Sequence, residues 1–498
     1  MNALLQKIYG TRWNPSYQSG VLAVFFLAVS LFSGIALIFF YRVSEPYGSV
    51  EAIQAGPFYW LRGLHRYSSD AAVVAVILHV LKMMMQGRAF GPRARAWVSG
   101  IVLTALMIFI GVTGLVMVWD NLGQRVAMAG IRFIDWLPLF SEPPQRIFSD
   151  QANLGTPFFF TLMFLHMGLP LALAFLLWFH TARLARAVYV PERSVCALWG
   201  AVLLLISIVI PAPLGPAADL SRIPAEVPLD IWYAFWLPLE EHAGRLMAAL
   251  ILGGGMILTA FYPMRAKLQP TPLPSIVDEK LCDGCTQCFQ DCPYDAISMV
   301  PRSFYNDGRH SELVAKVDPD FCVSCGICAG SCKPMGVGPP QRNGRDQLKA
   351  MEKTLSENPL RNELVVLACA TGCGLSDKFR GLEGIRMIPT ACSGSLHTSV
   401  MELVLRRGAL GVMVISCPSR DCTNREGPKW LEQRVYHDRE AELMARVDRD
   451  RVRLAEASRA EIGHAVLQSL GFYQELQKLE EPVPPEEMEL KCVPPSTD

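Results

Sequence analysis

Six long apolar runs fill the first half of this 498-residue chain and decide its architecture before any motif is considered. They cover residues 20–40, 69–85, 97–118, 157–184, 194–214 and 244–262. A helix crosses the hydrocarbon layer with about 20 apolar residues. Lipid leaves a lone segment no other way to satisfy its backbone. The runs therefore predict six membrane-spanning helices. The first is too long for a signal-peptide core and has no small-residue cleavage site behind it, so it is expected to remain as a helix. After residue 265 the composition becomes that of a soluble protein. Basic residues set the orientation: Lys7, Arg12, Arg88, Arg93, Arg186 and Arg265 all fall on the side that holds the N-terminus. The expectation is a multi-pass protein of a prokaryotic cytoplasmic (inner) membrane, with everything after the sixth span on the cytoplasmic side. The 46 basic and 46 acidic residues balance, so charge gives no argument for a nucleic-acid partner.

Four histidines interrupt the apolar runs. His65 and His79 are fourteen residues apart, and so are His166 and His180. Fourteen residues make nearly four helical turns, so each pair shares one helix face with a separation of about 21 Å. If both helices run inward from the outer side, His65 pairs with His166 and His79 with His180. The result is two bis-histidine sites stacked across the membrane. Ionisable groups at that depth are costly and generally functional, and bis-imidazole ligation suits a low-spin heme that carries electrons. Gly20 and Gly34 repeat the fourteen-residue spacing, as do Gly100 and Gly114. Glycine lets a flat macrocycle approach the backbone, although glycine is also common in membrane helices for packing alone.

Thirteen of the fifteen cysteines fall between residues 282 and 422. Cys196 and Cys492 are left over and read as incidental. The segment 266–275 is a proline-bearing linker. In 276–345, Cys282, Cys285, Cys288 and Cys292 form one C-x2-C-x2-C-x3-C run, and Cys322, Cys325, Cys328 and Cys332 form a second. In such pairs the fourth cysteine serves the other cluster. One 4Fe–4S set is then Cys282, Cys285, Cys288 and Cys332, and the other is Cys322, Cys325, Cys328 and Cys292. Zinc is the competing occupant of C-x-x-C spacing. In 346–478, a helix over 346–357 precedes short apolar strands at 364–368, 385–389 and 411–416, with a helix at 401–407 and a long charged helical stretch over 432–478. Cys369 and Cys373, Cys392, and Cys417 and Cys422 follow the three strands, so three cysteine-bearing loops converge at one sheet edge. A cluster, a zinc ion or a reactive thiol would each fit there. The tail 479–498 is rich in Pro and Glu and is expected to be disordered. The predicted fold class is multidomain: an all-α six-helix transmembrane diheme bundle, a small α+β bacterial-ferredoxin domain and an α/β iron–sulfur domain.

Several of these runs resemble known families. Leu61-Arg62-Gly63-Leu64-His65-Arg66-Tyr67-Ser68-Ser69, with His79-Val80-Leu81-Lys82, is similar to the second helix of cytochrome b. So is Gly111-Val112-Thr113-Gly114 followed by Trp119-Asp120. The resemblance covers residues 1–265 and implies two heme b groups, with Arg62 and Lys82 at positions that pair with heme propionates. Gln18 stands where the photosynthetic short form has a heme-binding cysteine, so no covalently bound heme is expected. Asp230-Ile231-Trp232-Tyr233 stands where the family has Pro-Glu-Trp-Tyr at its outer quinol site. Glu240 and Glu241 are the nearby carboxylates that could replace the missing glutamate, or they are plain loop charges. The two cysteine runs resemble two-cluster ferredoxins.

Residues 361–478 resemble the delta subunit of methyl-viologen-reducing hydrogenase, through Cys392-Ser393-Gly394, Gly411-Val412-Met413-Val414-Ile415-Ser416-Cys417 and Asp421-Cys422. Pro418 and Thr423 depart from that pattern. This likeness implies a 2Fe–2S cluster and a cytoplasmic flavoprotein partner of the heterodisulfide reductase A type, or a dehydrogenase or hydrogenase. No dinucleotide fingerprint is present. The expected function is a membrane-bound subunit that relays electrons between that partner and membrane quinone or quinol. It would be the quinone-reactive part of a multi-subunit oxidoreductase, with homo-oligomerisation left open. The alternatives are a non-catalytic membrane anchor and electron wire, or a redox sensor.

Overall fold

The structure, a computed structural model, describes residues 17–90, 93–136, 142–143, 146, 154–182, 186–222, 227–266, 272–302, 311–437, 439 and 441–480. The chain divides into two compact units, residues 1–270 and 271–498. That boundary falls inside the expected linker, of which residues 267–271 lie outside the described residues, as do residues 481–498 of the tail.

Among the described residues the first unit is built on helices: α1 (Ser19–Ile38), α2 (Pro46–Ala55), α3 (Tyr59–Met85), α4 (Ala94–Val118), α5 (Asn121–Trp136), α6 (Thr156–Thr181), α7 (Arg193–Val209), α8 (Leu237–Ala243) and α9 (Arg245–Ala260). Helix α1 packs on α3, α4 on α6, and α7 on α3. Four of these helices, α1, α3, α4 and α6, are long and apolar enough to cross a membrane. The fifth and sixth expected segments form shorter helices, α7 with 17 residues and α9 with 16. Proline explains the first: α7 stops just before Pro211 and Pro213, where the missing N–H and the ring forbid another turn. Helix α9 starts at a break, because Gly244 holds φ at 82°. Large side chains such as Phe164, Leu171 and Phe175 on α6 point outward, the pattern of a helix solvated by lipid.

The second unit opens with two near-copies of one motif. Strands β1 (Ile276–Val277) and β4 (Val337–Gly338) pair antiparallel, and so do β2 (Ile297–Pro301) and β3 (Leu313–Val317). Short helices α10 (Gln287–Gln290) and α11 (Ile327–Ser331) carry Cys288 and Cys328, and the other cysteines of each run lie in the loops beside them. The copies are forty residues apart, and they repeat backbone as well as sequence. Gly284 and Ser324, Thr286 and Gly326, and Asp295 and Met335 all have positive φ. Helix α12 (Gly344–Glu357) follows, closed at its start by a capping box between Asn343 and Asp346.

A four-stranded parallel sheet completes the unit, built from β5 (Leu364–Cys369), β6 (Ile385–Thr390), β7 (Gly411–Ser416) and β8 (Val452–Glu456) in the order β6-β5-β7-β8. Helices α13 (Thr398–Arg406), α14 (Gly427–Tyr436) and α15 (Ile462–Glu480) flank it. The central strands β5 and β7 are buried along their whole length, because parallel sheets are covered on both faces. Alternation then sorts the side chains. Val365, Leu367, Val412 and Val414 pack with α12, α13 and α14. Leu364, Val366, Met413 and Ile415 pack with α15. The expectation of continuous helix over 432–478 is corrected here. Helix α14 ends at Tyr436 and β8 occupies Val452–Glu456 before α15 begins. Strand β8 is an edge strand, and the charges of Arg453 and Glu456 that hid it belong on an exposed edge.

Candidate redox sites

The membrane histidines are each held from a neighbouring helix. His65 on α3 directs Nδ1 at Ser30 O, 2.8 Å away, with Ser33 Oγ at 3.3 Å. His166 on α6 directs Nδ1 at Ile110 O (3.0 Å) and Thr113 Oγ1 (2.9 Å) on α4. His180 Nδ1 lies 3.0 Å from Ser99 Oγ, and His79 Nδ1 lies 3.5 Å from Ser19 Oγ. The hydroxyls of Ser33, Ser99 and Thr113 already donate to backbone carbonyls of their own helices. They must therefore accept from the imidazoles. That fixes the proton on Nδ1 and leaves Nε2 with its lone pair, the state of a metal-ligating histidine.

The glycines complete each seat. A Cβ on Gly34 would meet His65 Cε1 at 2.8 Å, on Gly20 His79 at 3.0 Å, on Gly114 His166 at 3.0 Å and on Gly100 His180 at 3.1 Å. What each glycine clears in this structure is the imidazole itself. Sequence reasoning found the glycines and missed their neighbours. Ser19-Gly20, Ser33-Gly34, Ser99-Gly100 and Thr113-Gly114 place a hydroxyl before every one of the four. That repeated dipeptide was the available signal.

The structure brings His65 and His166 together, with ring centroids 6.3 Å apart. Two metal–nitrogen bonds of about 2 Å, added to the distance from centroid to nitrogen in each ring, fill that span, so the pair fits an iron between two imidazoles. Arg62 donates to Gln54 Oε1, Ala212 O and Pro213 O, and Lys82 to Tyr17 O. Around the expected quinol stretch, Asp230 accepts from the backbone N–H groups of Trp232 and Tyr233 and pairs with Arg66. Glu240 pairs with Arg132 and Glu241 with Arg125, so both carboxylates are engaged.

In the second unit, a cavity is lined by Cys282, Cys285, Cys288 and Cys332 together with Gly284, Met299 and Val337. This is the crossed set read from the sequence, three thiols from one run and the last from the other. Cys328 is buried and Cys325 half-buried beside Cys322 and Cys292, and desolvation pushes both thiols up, Cys328 to about 12. Backbone N–H groups already point at sulfur: Ala296 N to Cys292 and Gly336 N to Cys332, at 3.3 and 3.2 Å. Such bonds favour the thiolate, the form an iron–sulfur cluster needs.

The third set sits at the carboxyl ends of β6, β5 and β7, where the strand order reverses direction and parallel sheets place their ligands. Cys369 and Cys417 Sγ are 3.4 Å apart, and Thr371 Oγ1 lies between them at 3.1 and 3.2 Å. A Cβ on Gly427 would touch both Cys422 Sγ (3.4 Å) and Cys392 Sγ (3.6 Å), so those two sulfurs face one point. Asn424 Nδ2 donates to Cys392 Sγ at 3.4 Å. Cys373 has a different setting. It packs with Phe379, Ala457 and Ala465 against α15, and burial raises its thiol to about 11. No group of three or more His, Cys, Asp or Glu among the described residues is arranged to hold a metal ion by itself. The sulfurs of Cys282, Cys285, Cys288 and Cys332 border a cavity, and a cluster brings its own iron and sulfide to span such a space.

Family comparisons agree with this order of sites. Residues 5–188 match the model for cytochrome b/b6/petB, residues 281–336 the 4Fe-4S dicluster domain, and residues 369–480 the methyl-viologen-reducing hydrogenase delta subunit. The chain is a membrane electron-transfer protein. Its cytochrome b region implies heme b, and its dicluster region implies 4Fe–4S clusters. Among solved structures it is similar to a chain of a hyperthermophilic respiratory Complex III, at 15% identity and a TM-score of 0.39, over 53% of this chain and 80% of that one. A likeness of that size carries no argument about the fold. In this electron-transfer protein Cys196 is accounted for as a helix thiol directed at Pro191 O, and Cys492 lies outside the described residues.

Proposed function

We propose that this chain relays single electrons between a cytoplasmic redox partner and the membrane quinone pool. Two heme b groups are held by His65 with His166 and by His79 with His180. Two 4Fe–4S clusters are held by Cys282, Cys285, Cys288 and Cys332, and by Cys322, Cys325, Cys328 and Cys292. A 2Fe–2S cluster is held by Cys369, Cys392, Cys417 and Cys422, with Cys373 excluded. Helices α7 and α9 act as the fifth and sixth spans, since 17 and 16 residues approach the length a thin or locally compressed bilayer needs. When bound, heme and iron–sulfur groups supply one-electron carriers. The protein's share is to fix Nε2 lone pairs and thiolates in place and to keep water out.

The observation that carries this reading is the seating of the four histidines, each backed by a glycine and held by a hydroxyl or carbonyl. A partner is required because every site here handles single electrons. The hydrogenase delta-subunit likeness supports a flavoprotein of the heterodisulfide reductase A type, or a hydrogenase, in that place. The test is anaerobic addition of a reduced quinone analogue to the purified protein. Growth of the heme α-bands in step with quinol oxidation supports the reading. Hemes that respond to dithionite but never to quinol would leave the wire to another membrane protein as the better account.

A further inference from the structure

Among the described residues, Arg434 is the largest side chain with no exposure at all. Its Nη1 donates to Ser331 Oγ (2.9 Å) and its Nη2 to Gly394 O (2.7 Å). Ser331 ends α11, which carries Cys328, and it precedes Cys332. Gly394 follows Cys392 by two residues. One guanidinium therefore ties the loop of the terminal thiol set to the helix that serves both ferredoxin sets. Three glycines make the approach possible. A Cβ on Gly330 would strike Arg434 Nη2 at 2.8 Å, and one on Gly394 would meet Gly427 Cα at 2.4 Å.

A second strand of contacts runs beside it. Tyr294, two residues past Cys292, donates to Asn424 Oδ1 at 3.3 Å, and Asn424 donates to Cys392 Sγ. The charges at this seam do not balance. Asp291, fully buried beside Cys292, accepts from Ser331 at 2.6 Å and pairs with Arg439. Arg439 pairs with that carboxylate directly, and Arg434 reaches it only through Ser331 Oγ. Arg434 Nε has no partner. Burial lowers the Arg434 guanidinium only to about 10, opposed by Asp291 and Cys392, so it stays cationic at neutral pH. An under-compensated buried cation is costly. The neighbours that would offset it are thiolate-bound clusters, which become more negative on reduction.

We propose that Arg434 is a positioning residue that sets the reduction potential of the centre held by Cys392 and of the adjoining ferredoxin centre, making this seam the electron crossing between them. The inference rests on the ligand sets proposed above. In the exchange, one centre gives up one electron and is oxidised, and the other takes it and is reduced. The fixed positive charge favours the reduced form of both.

The test is a potentiometric titration of the intact purified protein, followed by electron paramagnetic resonance, for wild type, Arg434→Lys, Arg434→Gln and Asp291→Asn. Arg434→Gln keeps an amide donor and loses the charge. It should make the 2Fe–2S midpoint more negative, by a tenfold change in the equilibrium, which is about 59 mV for one electron. Arg434→Lys should stay near wild type. Asp291→Asn removes the buried anion and should move the midpoint the opposite way, which keeps the test decisive if an arginine variant fails to fold. Equal shifts for Lys and Gln, no shift in either, or a shift of the same sign in Asp291→Asn would overturn the proposal. A wild-type protein with no third iron–sulfur signal would instead sink the terminal ligand set itself.

Discussion

The membrane unit and the terminal sheet build their sites by opposite means. In the membrane unit, each ligand histidine is fixed separately by a Ser/Thr-Gly step on the facing helix: Thr113-Gly114 for His166, Ser33-Gly34 for His65. In the terminal sheet, thiols from three strand ends are fixed largely by one another, through Cys369, Thr371 and Cys417 on one side and Cys392, Cys422 and Asn424 on the other. The first arrangement is modular and the second is cooperative. Losing one member should therefore have local effects in the membrane and collective effects in the sheet.

The largest expected effect sharpens that contrast. His166→Leu should remove one of about two hemes and leave the other's spectrum unchanged, whereas Cys392→Ser should abolish the whole 2Fe–2S signal. Heme quantitation and electron paramagnetic resonance read the two outcomes. If His166→Leu empties both heme sites, the membrane unit is not modular. Cys373→Ser is the matched control. Its side chain packs in the apolar cluster against α15, so the 2Fe–2S signal should persist while the packing loss costs about 1 kcal/mol. A lost signal would return Cys373 to the ligand set.

Gly34→Leu comes next. Its Cβ would sit 2.8 Å from His65 Cε1, so the ring must swing away. Heme occupancy at that site should fall to near zero with the other site full. Full occupancy at both would show that the glycine does not define the seat. The smallest effect is expected from Thr113→Val, which removes the hydroxyl but leaves Ile110 O to hold Nδ1 at 3.0 Å. Loss of such a supporting partner typically weakens the metal site about 10- to 100-fold. Heme retention during dilution should drop in that range, and unchanged retention would assign the orientation of His166 to the carbonyl alone.

The same contrast explains what could be read from the sequence. Residues on one helix face recur at fixed spacing within one segment, so His65, His79, His166 and His180 could be proposed as a set from spacing alone. So could the ferredoxin runs, because their turns repeat at forty-residue offset down to the positive φ at Thr286 and Gly326. Strand-end ligands have no such period. Cys369, Cys392, Cys417 and Cys422 could be gathered at one edge, but no spacing separated Cys373 from them; only its place on the α15 face of the sheet does. Strand β8 was hidden by edge charges, and the shortness of α7 by its following prolines. Arg434 was unreadable for a simpler reason: a lone arginine in a charged helix looks solvated until three glycines bring another backbone against it.

The relay itself is tested most directly by reoxidation. Dithionite-reduced protein in membranes, freed of excess reductant, is mixed with an oxidised quinone analogue, and the iron–sulfur signals are followed in wild type and in His79→Leu. The account predicts rapid loss of the reduced iron–sulfur signals in wild type and their persistence in the variant. Equal reoxidation rates in both proteins would contradict it, because the clusters would then reach quinone without the heme site at His79.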